Sequence, residues 1–139
     1  MYKKILFAFD GSENSLRAAI HAVTMARMSK DSFVTIVHVV DGQTSKEDVL
    51  HYSSKEEIHI KRKQKLEKAE VVFRSHNVSY EVDLLHGEAA PTIVDYANSK
   101  PFDLVVVGSR GLNGLQEMVL GSVSHKVAKR VSAPVLIVK

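Results

Sequence analysis

Residues 108–124 carry the residue types from which a phosphate-binding site can be built. Four of the seven glycines of the chain fall in this segment, with Arg110 near its start and Ser122 and Ser124 at its end. Glycine lets an anion approach backbone N–H groups closely, and the start of a helix adds N–H donors and partial positive charge. The segment therefore predicts a phosphate cradle, to which the serines add hydroxyl groups and Arg110 adds a positive charge. The alternative interpretation is that the glycines serve turns and that Ser122 is only a helix N-cap.

Asp10 is the candidate acidic group of the same site. It follows the apolar residues 5–9, so the end of a buried strand would place it in the crevice where the glycine-rich segment also begins. A carboxylate there can bind a ribose hydroxyl or, through Mg²⁺, a phosphate, whereas the alternative is an aspartate that only forms a turn. A phosphoacceptor receiver domain is not expected, because its chemistry needs several acids at this corner.

Several other catalytic and ligand-binding patterns are missing from the chain. It has no G-x-x-x-x-G-K-[ST] phosphate loop and no G-x-G-x-x-G fingerprint, and residues 121–125 lack the second glycine of a G-x-S-x-G esterase elbow. The absence of cysteine excludes disulfides and thiol catalysis, and the seven histidines show no H-x-x-x-H spacing for zinc. Of these histidines, His38 is interpreted as a core residue and His125 as a helix-surface residue.

Apolar runs alternate with helical patterns along the whole chain. Strands are predicted at residues 3–9, 33–40, 80–85, 104–107 and 134–138, and helices at about 13–28, at 55–76, from Ala89 and from near Ser122. Residues 41–54 show no clear period and are predicted to form a loop. This alternation favours an α/β fold with a parallel sheet covered by helices on both faces, whose ligands bind beyond the carboxyl ends of the strands. The first strand is expected near the centre of the sheet, and residues 80–85 near an edge.

Composition narrows the class of protein further. The chain has 139 residues and a formal net charge of +3, and residues 104–139 carry five basic side chains against one acidic side chain. A local positive excess fits a small anionic ligand better than a nucleic-acid face, which needs many spread Lys and Arg contacts. The basic residues Lys61, Arg62, Lys63 and Lys65 are interpreted as the solvated face of a helix. No apolar stretch approaches the ~18 residues of a membrane span, so neither a membrane protein nor an exported protein is expected.

Three segments of the chain resemble the universal stress protein family. The stretch Ile5-Leu6-Phe7-Ala8-Phe9-Asp10-Gly11-Ser12-Glu13 resembles that family's first strand and turn, and Val37-His38-Val39-Val40-Asp41 resembles the end of its second strand. Gly108-x2-Gly111-x9-Gly121-Ser122 is similar to the ATP-binding pattern of the nucleotide-binding branch. The resemblance spans residues 3–138 and implies that residues 1–139 form one domain. It implies a Rossmann-like sheet of five parallel strands in the order 3-2-1-4-5, as in adenine nucleotide alpha hydrolases.

The resemblance also implies a role for individual residues. It places Asp10 near the ribose and a metal-linked phosphate, and Val39 against the adenine. Around the ribose and phosphates it places Gly108, Arg110 and Gly111. At the triphosphate it places Gly121, Ser122 and Ser124, with Val123 beside them. It further implies homodimers that pair through the last strand, Val135 to Val138, whose apolar residues would otherwise form an exposed edge.

The function expected from the sequence is that of a cytoplasmic ATP-binding protein that regulates a stress response, with Mg²⁺ or Mn²⁺ bound to the nucleotide. Hydrolysis is expected to be slow or absent, because no positioned general base is evident near the phosphates. Two alternatives stay open: an ATP-using hydrolase or adenylyl transferase of related fold, and a dimerisation module without nucleotide. The kind of stress, the regulatory protein partner and the choice between ATP and AMP do not follow from the sequence.

Overall fold

Five parallel strands form one sheet in the part of the chain that the structure, a computed structural model, describes: residues 1–40, 55–109 and 121–139. The strands are β1 (Lys4–Phe9), β2 (Phe33–Val40), β3 (Ser79–His86), β4 (Leu104–Gly108) and β5 (Val135–Val138). The helices in these ranges are α1 (Glu13–Ala26), α2 (Lys55–Ser75), α3 (Ala89–Ser99) and α4 (Ser122–Arg130). The strand order is β3-β2-β1-β4-β5, which confirms the predicted parallel α/β sheet with β1 at its centre and β3 at an edge.

The ends of the described elements lie within two residues of their predicted positions, and β2 has the predicted bounds. α1 ends at Ala26 rather than Met28. The N–H groups of Met28 and Ser29 bond to carbonyls three residues earlier instead of four, so the α-helical hydrogen bonding stops here. α2 ends two residues before Asn77, whose φ of 56° lies in the left-handed region that is common just after a helix. β3 is longer than predicted, since all eight of its residues pair with β2. The loop predicted at residues 41–54 lies outside the described residues.

Among the described residues, two helices cover each face of the sheet. Side chains alternate along β1, so Ile5, Phe7 and Phe9 pack in a cluster with α1 and α2, whereas Leu6 and Ala8 pack in a second cluster with α3 and α4. The rings of Phe7 and Phe73, both fully buried, lie 5.8 Å apart and join β1 to α2. Because β1 is buried on both faces, its carboxyl end holds the following residue, Asp10, in a fixed place at the edge of the sheet. In the described ranges no helix is both long enough and apolar enough to cross a membrane.

Candidate nucleotide-binding site

A cavity of about 210 Å³ lies at the carboxyl end of the sheet. Here β1 leads into α1 on one face and β4 leads toward α4 on the other, which is the place where doubly wound sheets bind ligands. Its walls come from the ends of three strands (Ala8, Phe9, Asp10, His38, Val39, Val107, Gly108), from α1 and α3 (Ser15, Ala89, Ile93) and from the start of α4 (Gly121, Ser122, Val123, Ser124).

The cavity brings together seven of the nine site residues predicted from the sequence: Asp10, Val39, Gly108, Gly121, Ser122, Val123 and Ser124. Arg110 and Gly111, the other two, lie outside the described residues. The sequence analysis did not single out Ala89 and Ile93, although they line the same cavity from α3. Their signal in the sequence is only the apolar spacing of a helix, which is typical of any core residue.

Asp10 forms a turn and also lines the cavity. Its Oδ1 accepts a hydrogen bond from the Ser12 N–H at 2.8 Å, and Gly11 between them has a φ of +83°. Ser12 is the N-cap of α1, and its Oγ accepts from the Ser15 N–H at 3.2 Å. The two interpretations of Asp10, turn former and ligand group, are therefore compatible, because the turn holds its carboxylate at the cavity wall.

Gly108 is required by the packing of α1 against β4. A Cβ at this position would lie 2.7 Å from the Asn14 carbonyl carbon and 2.8 Å from the Ser15 nitrogen, both of them backbone atoms of α1. Backbone atoms cannot rotate away as a side chain can, so only glycine lets the first turn of α1 lie this close to the strand. The sequence analysis missed this role, because the two contacting segments are far apart in the chain.

α4 begins at Ser122, with Gly121 as its N-cap. The interpretation of Ser122 as the cap is therefore wrong: Ser122 is the first helical residue, and its side chain is exposed. Among the described residues no side chain caps this helix end. The first N–H groups of a helix have no acceptor within the helix, so those of Ser122, Val123 and Ser124 are donors at the cavity wall.

Ser124 contributes to the site differently from what its hydroxyl group suggested. Its side chain is 1% exposed, and its Oγ donates a hydrogen bond of 3.0 Å to the Gly121 carbonyl oxygen. The same oxygen accepts the His125 N–H at 2.9 Å, the first bond of the helix. The hydroxyl proton of Ser124 is thus used to hold the helix start, which leaves the hydroxyl of Ser122 exposed beside the cavity.

His38 is a core histidine, as the sequence predicted. It is 9% exposed, and its Nδ1 lies 2.8 Å from the Phe9 carbonyl oxygen. Since a carbonyl oxygen only accepts, Nδ1 carries the proton in this bond. The imidazole also packs against the Phe9 ring, with centroids 5.8 Å apart, so His38 ties the end of β2 to the end of β1. His125, by contrast, lies on the exposed surface of α4.

The cavity fits a phosphorylated ligand better than a protein-held metal ion. No group of three or more His, Asp and Glu side chains that could hold a metal occurs within residues 1–40, 55–109 and 121–139. Among the described residues that line the cavity, Asp10 carries the only carboxylate. The start of α4 offers partial positive charge, which favours an anion at that end.

An open parallel sheet with a cavity where its connections change face defines a Rossmann-like, doubly wound α/β protein. The model of the universal stress protein family matches residues 1–139, and the chain belongs to this family. It is 36% identical over 149 residues to the universal stress protein YxiE of Bacillus subtilis, and the match covers the whole of both chains.

Solved structures share the fold over the full length of the chain. MJ0577 of Methanocaldococcus jannaschii superposes with a TM-score of 0.81 at 29% identity and covers 100% of this chain and 96% of its own. A universal stress protein solved in complex with cAMP has a TM-score of 0.72 at 26% identity, with 99% of this chain and 96% of that chain covered.

Proposed function

We propose that this protein binds an adenine nucleotide, with ATP as the ligand, in the cavity at the carboxyl end of the sheet. The observation that carries the proposal is the meeting, in one cavity, of an apolar wall, a carboxylate after β1 and the uncapped start of α4. A nucleotide has an apolar base, a ribose and phosphates, which match these three features in turn. The cAMP bound to a related universal stress protein supports the same class of ligand.

The adenine is assigned to the apolar side of the cavity. The side chains there are those of Ala8, Val39, Ala89, Ile93, Val107 and Val123. Removing a flat ring from water against such a wall stabilises the complex by about 25 cal/mol for each Å² of apolar surface buried. Val39 lies at the end of β2, where it can contact the base as the family resemblance implies.

The phosphates are assigned to the start of α4. Charge-assisted hydrogen bonds from N–H groups to an anion contribute about 1.5–3 kcal/mol each, more than a neutral pair does. Gly121, Ser122 and Ser124 supply backbone donors there, and Arg110 and Gly111 complete this part of the proposed site. Asp10 and Gly108 then face the ribose between the base and the phosphates.

Mg²⁺ or Mn²⁺ would enter with the nucleotide, not before it. Mg²⁺ is commonly held by one or two carboxylates together with phosphate oxygens and waters, so the single carboxylate of Asp10 fits a metal carried by the phosphates. The bound metal would neutralise part of the phosphate charge. The Asp10 carboxylate would contact the phosphates through that metal, and the start of α4 would orient the phosphates.

A regulatory switch in the cytoplasm, where ATP is abundant, is the role that we assign to this binding, with an unidentified protein as the partner that reads the bound state. Slow or absent hydrolysis is part of the proposal. Of the lining side chains, Asp10 accepts the Ser12 N–H and His38 bonds through Nδ1 to the Phe9 carbonyl, so each already has a structural role. Rapid ATP turnover would instead favour the hydrolase or adenylyl transferase alternative.

Homodimerisation through β5 is the second part of the proposal. Among the described strands, β5 pairs with β4 alone, and Val135, Leu136 and Ile137 are half-buried. The carbonyls of Pro134 and Val138 accept hydrogen bonds from the β4 side of the strand. Backbone groups alternate in direction along a strand, so the N–H groups of Val135 and Ile137 face the outer edge, where a second copy could pair.

Mass spectrometry of small molecules released from the purified, heat-denatured protein tests the choice of ligand. We expect an adenine nucleotide in a stoichiometric or near-stoichiometric amount. Preparations without any nucleotide, combined with no binding of added ATP, would favour the dimerisation module.

A further inference from the structure

A second cavity, of about 270 Å³, lies at the opposite edge of the sheet from the proposed nucleotide site. It is lined by Lys4, Phe33, Thr35, Glu81, Lys100, Pro101 and Phe102. Lys4 and Phe33 are the first residues of β1 and β2, and Lys100 to Phe102 join α3 to β4. The cavity therefore opens at the amino ends of the strands, where nothing in the proposed function uses it.

The register of the sheet explains why these side chains meet. Lys4 pairs with Phe33 in one row, and Thr35 pairs with Glu81 in the next row. Residues two apart along a strand share a face, and this face is the one that α3 and α4 cover, since Leu6 packs in their cluster. α3 ends at Ser99, so beyond its end this corner of the sheet has no helix of the described chain above it.

The cavity carries separated charges of both signs. Glu81 provides a carboxylate whose Oε1 accepts from the Thr35 hydroxyl at 3.3 Å, and Thr35 is only 5% exposed. Lys4 and Lys100 provide two ammonium groups. Lys100 interacts electrostatically with Asp83 and Glu81, and Lys4 interacts with Asp103, but neither lysine forms a close ion pair with a carboxylate of the described residues.

A chain of hydrogen bonds holds Lys100 in place beside the cavity. Its Nζ donates to the Tyr96 hydroxyl oxygen at 3.0 Å and lies 4.5 Å from the centre of that ring, and the Tyr96 hydroxyl donates to Asp83. The bond to Tyr96 raises the pKa of Lys100 above its ordinary value, so its ammonium group stays charged. Phe102 stacks on the same tyrosine with centroids 5.9 Å apart. Lys100 and Phe102 thus present a fixed positive charge next to an apolar ring.

We propose that this cavity binds a free amino acid with an apolar side chain. The carboxylate of the ligand lies toward Lys4 and Lys100, and its ammonium group lies toward Glu81. Its side chain packs between Phe33, which is 38% exposed, and Phe102. A cavity of about 270 Å³ has room for a ligand of the size of leucine.

The mixed charges argue against simpler ligands. A phosphate or other plain anion would meet the Glu81 carboxylate, and a plain cation would meet two lysines. A divalent metal ion prefers several carboxylate or carbonyl oxygens, and the described lining of this cavity supplies one carboxylate, that of Glu81. Only a ligand with both charges and an apolar part satisfies every wall.

The experiment is a titration of ¹⁵N-labelled full-length protein followed by NMR chemical shifts. The probes are L-leucine, 4-methylpentanoate, which lacks the amine, and 3-methylbutylamine, which lacks the carboxylate. We expect L-leucine to shift the amides of residues near Thr35, Glu81 and Lys100 in a saturable way below about 10 mM, which corresponds to a binding free energy of about −3 kcal/mol. Each single-charge probe should bind at least tenfold more weakly.

Two variants and a matched control locate the site. Glu81→Gln keeps an oxygen that can accept from Thr35, and Lys100→Met keeps the length of the side chain; each should weaken L-leucine binding at least tenfold. Lys129→Met, an exposed lysine of α4, should leave it unchanged. Thermal melting of each variant confirms that it is folded.

The outcomes separate this proposal from the nucleotide proposal. L-leucine binding lost in Glu81→Gln and Lys100→Met, but kept in Lys129→Met, supports it whether or not ATP binds. It is overturned by three results: no saturable shifts at 10 mM L-leucine, equal binding of 4-methylpentanoate, or full affinity in both folded variants. ATP titrations of the same variants report separately on the cavity at the carboxyl edge, which neither substitution touches.

Discussion

Replacing Ser122 by proline removes one backbone donor from the proposed phosphate site without changing the shape of its backbone. Ser122 is the first helical residue of α4, the one helix position that favours proline, because its N–H has no acceptor within the helix. Gly121 before it has φ −58° and ψ 153°, an extended conformation that is compatible with a following proline. We therefore expect Ser122→Pro to fold and to melt close to the wild type.

The expected loss of affinity follows from the bond that is removed. One hydrogen bond from an N–H group to a charged phosphate contributes about 1.5–3 kcal/mol, which corresponds to a 10- to 150-fold change in Kd. Ser122→Ala is the matched control, because it loses the same hydroxyl group but keeps the N–H. Isothermal titration calorimetry with ATP in excess Mg²⁺ should give a Kd at least tenfold higher for Ser122→Pro than for Ser122→Ala.

Equal affinities of the two folded variants would refute this reasoning. In that case the N–H of Ser122 would not contact the nucleotide, and the start of α4 would not be the phosphate site. Circular dichroism and thermal melting of both variants provide the required comparison of folding. An unfolded Ser122→Pro would instead contradict the assignment of Ser122 as the first helical residue.

Four further substitutions test other parts of the account. Gly121→Val should melt at the wild-type temperature, since the φ of −58° at this position suits any residue. Its side chain should fill the space of the phosphates and raise the Kd for ATP more than tenfold. A Kd within about threefold of wild type would make Gly121 only a turn residue. Gly108→Ala should lower the free energy of unfolding in urea by about 3 kcal/mol, because its Cβ meets rigid backbone of α1, and a loss under 1 kcal/mol would contradict that packing. Hydrogen bonds from the Lys4 and Lys3 N–H groups lower the pKa of Asp103. Asp103→Asn should therefore lower the free energy of unfolding by about 1 kcal/mol at pH 7, and by progressively less below about pH 4, where the wild-type carboxylate becomes protonated. A difference in stability that does not change with pH would contradict this role of the Asp103 carboxylate. Ile137→Pro removes an outer-edge donor of β5 and should convert the proposed dimer to a 15.4 kDa monomer in sedimentation, whereas a variant that stays dimeric would move the interface elsewhere.

The elements of the fold followed from the sequence wherever one physical signal was strong. β2 was predicted with its observed bounds, because its residues are buried on both faces and are therefore apolar almost throughout. β3 was predicted too short, since its ends are exposed at the edge of the sheet and only their pairing with β2 makes them a strand. The end of α1 was misplaced because it depends on the change in backbone hydrogen bonding at Met28 and Ser29 and not on the apolar pattern.

The candidate site followed from the sequence only as far as residue types and strand ends reveal it. Asp10 and Gly108 could be placed at the cavity because each follows an apolar strand. The contact of Gly108 with Asn14 could not be predicted, since it depends on how closely α1 lies over β4. The alternative interpretation of Ser122 as the cap of α4 followed from the frequency of serine at N-caps. The backbone instead gives that position to Gly121 and turns the Ser124 hydroxyl onto the Gly121 carbonyl. The second cavity arises from strand register and from the end of α3, neither of which a linear pattern contains.

Calorimetric titration of the wild-type protein with ATP in excess Mg²⁺ tests the central claim most directly. The proposed site is a single cavity in each chain, so we predict saturable heat with one nucleotide bound per chain at or below millimolar ATP. The same titration after removal of any nucleotide that copurifies excludes a site that is already full. No heat and no displacement of bound nucleotide at millimolar ATP, about −4 kcal/mol on the affinity scale, would contradict the assignment of this cavity to a nucleotide.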